Sequence, residues 1–345
     1  MTGAKTSAYS DSISELICMR TIASVLITLL WTITSLAQDQ QARLDALRAE
    51  GYEALYNLDY ETARNRFQKM VDLAPDNPVG PQCMASSLWL QQLNQSWELK
   101  STLYSSSAYT EGKAQVDRKQ ADEFRKWIRR AKQLAQARLR KDPHDVEALY
   151  FLGASEGVEA SYAAGVERKF MAAFRAGSDS VDHHREVLKL APNFHDAELT
   201  IGLMNYVVGS LPLPTKMLVA TMGVRGSKKR GLEMLERVAT EGKWARDVAR
   251  VLLVDLYKRE KRWQDAANMA RELAAKYPRN YLFKLQVADA LTSQIVLLRK
   301  EKKPVSVQEK EVQDIFAGLS HDKSLDASTR ELVNARWNIA RKELQ

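Results

Sequence analysis

The sequence predicts an all-α architecture, an α-solenoid of stacked antiparallel helix hairpins with inserted helices, and three observations carry that prediction. Over 345 residues, 45% are hydrophobic and 27% charged, the composition of a folded chain, yet only 15 Gly and 9 Pro are present. So few turn formers exclude a many-stranded sandwich or barrel and favour long helices. Second, Pro75, Pro143, Pro192 and Pro278 each follow an amphipathic segment, where a ring without an N–H ends a helix. Third, small residues recur around these prolines: Ala63, Ala131, Ser180 and Ala266 stand twelve residues before them, and Ala85, Gly153, Gly202 and Ala288 ten residues after. Antiparallel helices approach to about 8–10 Å only where the crossing side chains are small, so all eight are predicted to be buried crossings.

In chain order, residues 1–37 are predicted to be a signal peptide. Thr21 to Ala37 is an uncharged run of 17 residues that follows Arg20 and ends in Ser35-Leu36-Ala37, the layout of a cleaved leader. Cleavage is expected after Ala37, and Met19 is the expected initiator because Asp11 and Glu15 do not suit a leader's basic end. The expected location is the periplasm or the exterior, with a retained membrane anchor as the alternative. The mature chain would keep 49 cations against 41 acids, a net +8. That excess is compatible with acidic partners but identifies none. Losing Cys18 with the leader leaves Cys83 alone, which excludes an intramolecular disulfide and a cysteine zinc site.

Residues 38–303 carry the repeat. Leu44 to Asn77 places Gly51, Ala54, Tyr60, Ala63, Phe67, Leu73 and Pro75 in one order, and Asp247 to Asn280, a segment of the same length, keeps Ala266 at the same offset from Pro278, with Leu253, Tyr257 and Leu273 among its apolar residues. These segments resemble units of the tetratricopeptide repeat family, and the leader suggests an exported bacterial type. The resemblance implies helix-turn-helix units of about 34 residues stacked into a superhelix. It weakens before Pro143, where Arg138 and Lys141 replace apolar residues, and before Pro192, where His184 does. Pro75 and Pro143 lie 68 residues apart, two units, whereas the next spacings of 49 and 86 are not multiples of 34.

Irregular insertions are therefore predicted near 95–119 and 158–230. Gln95 to Lys119, with Ser105-Ser106-Ser107, reads as a loop or frayed hairpin; Val158 to Arg175 reads as an extra or lengthened helix; Leu211-Pro212-Leu213-Pro214 reads as an extended break. Residues 304–345 read as one or two capping helices, which an open-ended stack needs.

Several patterns invite a chemical reading and are better explained structurally. Gly153-Ala154-Ser155-Glu156-Gly157 spells G-x-S-x-G, but a hydrolase using Ser155 needs a strand leading into that turn, and a helical pattern precedes it. His183 and His184 are adjacent, so on a helix they diverge by about 100° and cannot face one ion; His195 belongs to a turn. No metal, cofactor or catalytic residue is expected. The eight basic residues between Arg125 and Lys141, and Arg225, Lys228, Lys229 and Arg230, read as solvated faces, with an anionic membrane surface as a candidate partner. Nothing resembles a nucleic-acid module. The uncharged run from Leu199 to Thr215 reads as buried core, or failing that a hydrophobic surface for a partner or a membrane.

The resemblance implies that first helices line a concave groove, which assigns Asp45, Arg48, Tyr52, Leu55 and Tyr56 to it, with Tyr150, Ala154 and Val158 and then Leu199, Leu203 and Val207 continuing the stripe. Arg48, Tyr52 and Tyr56 are spaced four apart on one face. A cation and two aromatic rings suit an extended protein or peptide segment. The lysine and asparagine set of chaperone-binding members is missing. The expectation is a non-enzymatic binding scaffold, with a membrane-surface protein as the rival.

Overall fold

Leu58, Lys261 and Lys302 each adopt a left-handed backbone, with φ of 65°, 59° and 56°, and each closes a helix in the same way. The amide of the following residue reaches back five residues, as Asp59 does to Ala54 (2.9 Å), Arg262 to Tyr257 (2.8 Å) and Lys303 to Leu298 (2.9 Å). This double-bonded stop turns the chain sharply enough for the next helix to return antiparallel. These three residues mark the tips of three hairpins in a computed structural model that describes residues 38–95, 117–221 and 223–345. The leader, its cleavage site, Met19, Cys18 and nearly all of the 95–119 insertion lie outside the described residues.

Over the described residues the chain is all-α, with no strand, and its adjacent helices pack in pairs as an α-solenoid-like stack. The first hairpin is α1 (38–56) and α2 (Tyr60–Leu73), the second α3 (Val79–Gln95) and α4 (Arg118–Leu139), and the third α5 (Val146–Gly165) and α6 (Phe170–Leu190). A 3-10 turn, His195–Ala197, leads to the fourth, in which α7 (Glu198–Ser210) pairs with α9 (Lys228–Glu241) and a short α8 (Leu213–Thr221) stands between them. The fifth is α10 (Arg246–Arg259) with α11 (Trp263–Lys276), and the sixth α12 (Tyr281–Lys300) with α13 (Ser306–Ser320), followed by α14 (Ala327–Glu343).

Polar caps start many of these helices. Asp59, Asp145 and Asp326 each accept the amide three residues on, from Thr62 (3.1 Å), Ala148 (2.9 Å) and Thr329 (2.8 Å), satisfying donors that a first turn leaves free. Helix α10 has no such local cap. Buried Asp196, almost fifty residues earlier, accepts the amides of Lys243 (3.0 Å), Trp244 (2.7 Å) and Ala245 (2.6 Å). One carboxylate thus ties the third hairpin's exit to the fifth hairpin's entry.

All eight small positions are buried: Ala63, Ala85, Ala131, Ser180, Ala266 and Ala288 are at or near zero exposure, and Gly153 and Gly202 lie inside the stack. The Phe67 ring packs on Gly51 and the His184 ring on Gly153, and in neither place is there room for a Cβ. His184 therefore takes the place of the first hairpin's phenylalanine. Its ring is neutral: burial pulls its pKa down from 6.5 to about 4. Nε2 donates to the Tyr150 carbonyl (3.1 Å), which leaves Nδ1 to accept from the Thr200 hydroxyl.

The irregular spacings now have causes. Between Pro143 and Pro192 the hairpin is lengthened, α5 and α6 having 20 and 21 residues, with its tip near Arg168; no separate helix is inserted. Between Pro192 and Pro278 lie two hairpins plus the segment 211–227 that contains α8. The expected extended break there is short. Leu211 is extended, with ψ 146°, but a helix resumes at Leu213, with Pro214 in its first turn, where a missing N–H costs nothing.

Candidate functional site

Arg48, predicted to greet a ligand, is buried inside the molecule. Its guanidinium lies 4.6 Å from the ring centre of Trp244, 5.4 Å from Phe151 and 5.8 Å from Tyr52. Burial works against its charge, but Cys83, Tyr52, Tyr150 and Asp196 around it hold its pKa above the ordinary arginine value. A desolvated cation among aromatic faces gains more than one in water. Tyr150 belongs to the same cluster, with ring centres 4.9 Å from Phe194 and 5.4 Å from Trp244.

The rest of the stripe is also used internally. Asp45 accepts from Lys243 Nζ (2.9 Å); Tyr52 sets its ring edge-on to Phe67 at 5.3 Å; Leu55 is fully buried. Tyr56 packs against Tyr277 at 5.0 Å, and its carbonyl accepts from buried Asn280 Nδ2 (2.6 Å). Arg48 and Tyr150 thus face the interior of the molecule, not an open groove, because α1 lies against the fifth and sixth hairpins; Leu55 and Tyr56, almost fully buried, form part of the wall of a cleft beside α1. The physical reason is that an Arg and two Tyr four apart suit any apolar, aromatic surface, and the chain's own surface was within reach.

The other sequence candidates are placed as follows. Ser155 is fully buried in the middle of α5, its hydroxyl donating to the Phe151 carbonyl (2.7 Å), so the G-x-S-x-G run is not a strand-to-helix elbow. His183 meets Glu156 (2.8 Å), and that hydrogen bond is the main cause of its raised pKa. His195 lies between Glu198 (3.4 Å) and Glu241 (3.1 Å). On α4, Arg125 pairs with Glu167, Lys132 with Glu159 (2.8 Å), and Arg138 with Asp145 (2.8 Å) and Glu147 (3.2 Å), while Lys126, Arg129, Arg130, Arg140 and Lys141 remain exposed. The uncharged run divides: Ile201, Gly202, Tyr206 and Val208 of α7 are core, whereas α8 buries nothing.

Closure of α1 onto the later hairpins leaves a cleft beside it, between α3, α10, α12 and α14. Its apolar walls are Leu55 and Tyr56 from α1, Leu90 from α3, Val251 and Val254 from α10, Leu282 and Leu285 from α12, and Leu332 from α14. Leu90, Val251, Leu282 and Leu332 stay only half-buried. Polar groups are few and paired. Arg336 meets Asp289, Lys258 lies 3.2 Å from Asp255 and also reaches Gln286, and Asn94 donates to the Tyr60 hydroxyl (2.6 Å). Burial, the first cause, pushes the Tyr60 hydroxyl up to about 12, so it stays protonated. Apolar walls with a few fixed polar groups suit apolar side chains and an orienting backbone or charge, not bond chemistry.

Leu55 and Tyr56 of the predicted groove set line this cleft, whereas the lining residues of α3, α10, α12 and α14 were not singled out, although a signal existed. Tyr150 and Leu199 stand seven residues after Pro143 and Pro192. The same offset from Pro278, with those of eleven and fifteen, gives Leu285, Asp289 and Ser293, and from Pro75 gives Gln82, Ser86 and Leu90. Leu285, Asp289 and Leu90 line the cleft. No protein-family model matches the chain, and no curated protein matches it in sequence.

Proposed function

We propose that this chain is a non-enzymatic scaffold of tetratricopeptide-like hairpins that acts outside the cytoplasm after export, binding a protein or peptide partner. The partner's apolar side chains enter the cleft beside α1, and the Arg336–Asp289 and Lys258–Asp255 pairs orient its polar groups. What supports this reading is one observation: in a stack whose crossings are tightly filled, Leu90, Val251, Leu282 and Leu332 converge from four helices and remain half-exposed. A preformed apolar recess needs little ordering when a partner enters it.

A photo-crosslinking phenylalanine analogue in place of Leu282 tests the reading in the full chain. It should capture one defined partner, and Leu332→Asp should abolish that capture while leaving the melting temperature nearly unchanged. Capture that survives Leu332→Asp would remove the cleft from the function.

A further inference from the structure

Helix α8 is mostly apolar, yet none of its residues is buried, and it makes no substantial contact with another helix. Leu213, Met217 and Leu218 are 71%, 64% and 65% exposed. At 100° per residue they and Pro214 fall within an arc of about 140°, so they form one face. The helix is nevertheless well defined at both ends. The Pro212 carbonyl accepts the Lys216 amide (2.9 Å), and Gly223, at φ +80°, ends it with the bonds Gly223 to Ala220 (3.0 Å) and Val224 to Val219 (3.1 Å). This is the same stop that closes the first helices of other hairpins. Helix α8 is thus the outer part of the fourth hairpin's first helix, turned away from the stack at Leu211-Pro212.

The surrounding charge is one-sided. From Leu199 to Leu232 there is no acidic residue, while Lys216, Arg225, Lys228, Lys229 and Arg230 are all basic. Lys228 is taken by Glu260 (2.7 Å), and Lys229 is only 3.9 Å from Glu233 at an exposed site. Arg225 and Arg230 are exposed and have no carboxylate partner among the described residues. A second apolar pair adds to this end of the molecule. Helix α6 runs antiparallel to α7, with His184 beside Thr200 and Gly177 beside Met204, which brings exposed Met171 and Phe170 toward the end of α7, where α8 departs.

We propose that α8 is a membrane-docking helix that lies in the interface of an anionic bilayer, its Leu213, Met217 and Leu218 among the acyl chains and Arg225 and Arg230 on acidic headgroups. A polyanion alone would leave the apolar face in water, and an uncharged apolar partner would leave the cations unmatched. An anionic lipid surface satisfies both. Among the described residues no helix is long and apolar enough to cross a membrane, so α8 lies on the bilayer. The proposal is independent of the cleft.

The test uses the full chain with Cys18→Ser and Leu218→Cys, labelled with an environment-sensitive fluorophore; the remaining thiol, Cys83, is buried. Vesicles of phosphatidylcholine alone are compared with vesicles of equal parts phosphatidylcholine and phosphatidylglycerol. The label should brighten and shift to the blue only with the mixed vesicles. Arg225→Glu with Arg230→Glu should weaken that response about tenfold or more, and Met217→Asp should abolish it. The same label at Ile339→Cys, an exposed apolar site on α14, should stay silent, which separates docking by α8 from binding through the N-terminal apolar segment. No response at Leu218→Cys, or an equal response with both vesicle types or at both labels, would overturn the proposal. A blue shift that grows with protein concentration without lipid would also overturn it, assigning the face to a second copy of the chain.

Discussion

At the scale of single residues, His184 shows how one fold position can be filled by different chemistry. It packs on Gly153 as Phe67 packs on Gly51, but it also carries a proton equilibrium. Its pKa is about 4 in the folded chain against 6.5 when solvated. The folded state therefore binds fewer protons between these values, so its stabilising effect is complete above pH 6.5 and is lost as pH falls toward 4. That loss amounts to about 3 kcal/mol. His184→Gln, which keeps a donor toward the Tyr150 carbonyl, should be less stable at pH 7. In urea melts its deficit should shrink by about 3 kcal/mol between pH 7 and pH 4. His183, whose pKa Glu156 raises, works in the opposite direction and is common to both proteins. Parallel stability profiles would contradict a buried neutral His184.

At the scale of elements, four hairpin tips stand out because their left-handed residues are Leu58, Arg168, Lys261 and Lys302, whereas α8 stops on a glycine, Gly223. A side chain there crowds the backbone, at a cost of about 1–2 kcal/mol. Glycine relieves this but gives the unfolded chain more freedom, which offsets part of the gain. Lys261→Gly and Lys302→Gly are both at exposed sites, and each should raise stability by about 0.5–1 kcal/mol, read as a shift in denaturation midpoint. A loss at both would mean that the side chains, not the turns, matter. The absence of glycine at these four tips explains why they could not be located from sequence.

For the whole molecule, the decisive element is α1. One core runs through the first three hairpins, and a second fills the later ones; Tyr56 of α1 belongs to the second, while Leu55, its neighbour, belongs to the first. An open solenoid is held by nearest-neighbour contacts alone, whereas here Asp45–Lys243, Tyr56–Tyr277 and Asn280 to the Tyr56 carbonyl join segments about 200 residues apart. Tyr56→Ala should cost about 3 kcal/mol or more and uncouple the halves. Far-UV circular dichroism and tryptophan fluorescence would then report different midpoints. A single coincident transition with an unchanged midpoint would show that α1 does not bridge the cores.

The sequence alone determined the helical class and the crossings, because a helix-ending proline and a small residue at fixed offset are demands of local backbone and close packing that any stacked hairpin must meet. It also set His184 at the offset of an apolar residue and put the G-x-S-x-G run in a helical pattern. It did not determine what faces outward. Arg48, Tyr52 and Tyr56 carry the same pattern whether an aromatic wall comes from a ligand or from Phe151, Trp244 and Tyr277 of the same chain. Likewise the uncharged run from Leu199 to Thr215 reads first as core, and only the turn at Leu211-Pro212 keeps its α7 residues in the stack and sends its last few away with α8. Only the tertiary structure decided which apolar faces were covered, since burial depends on segments distant in the chain, and with it the positions of the cleft and of α8.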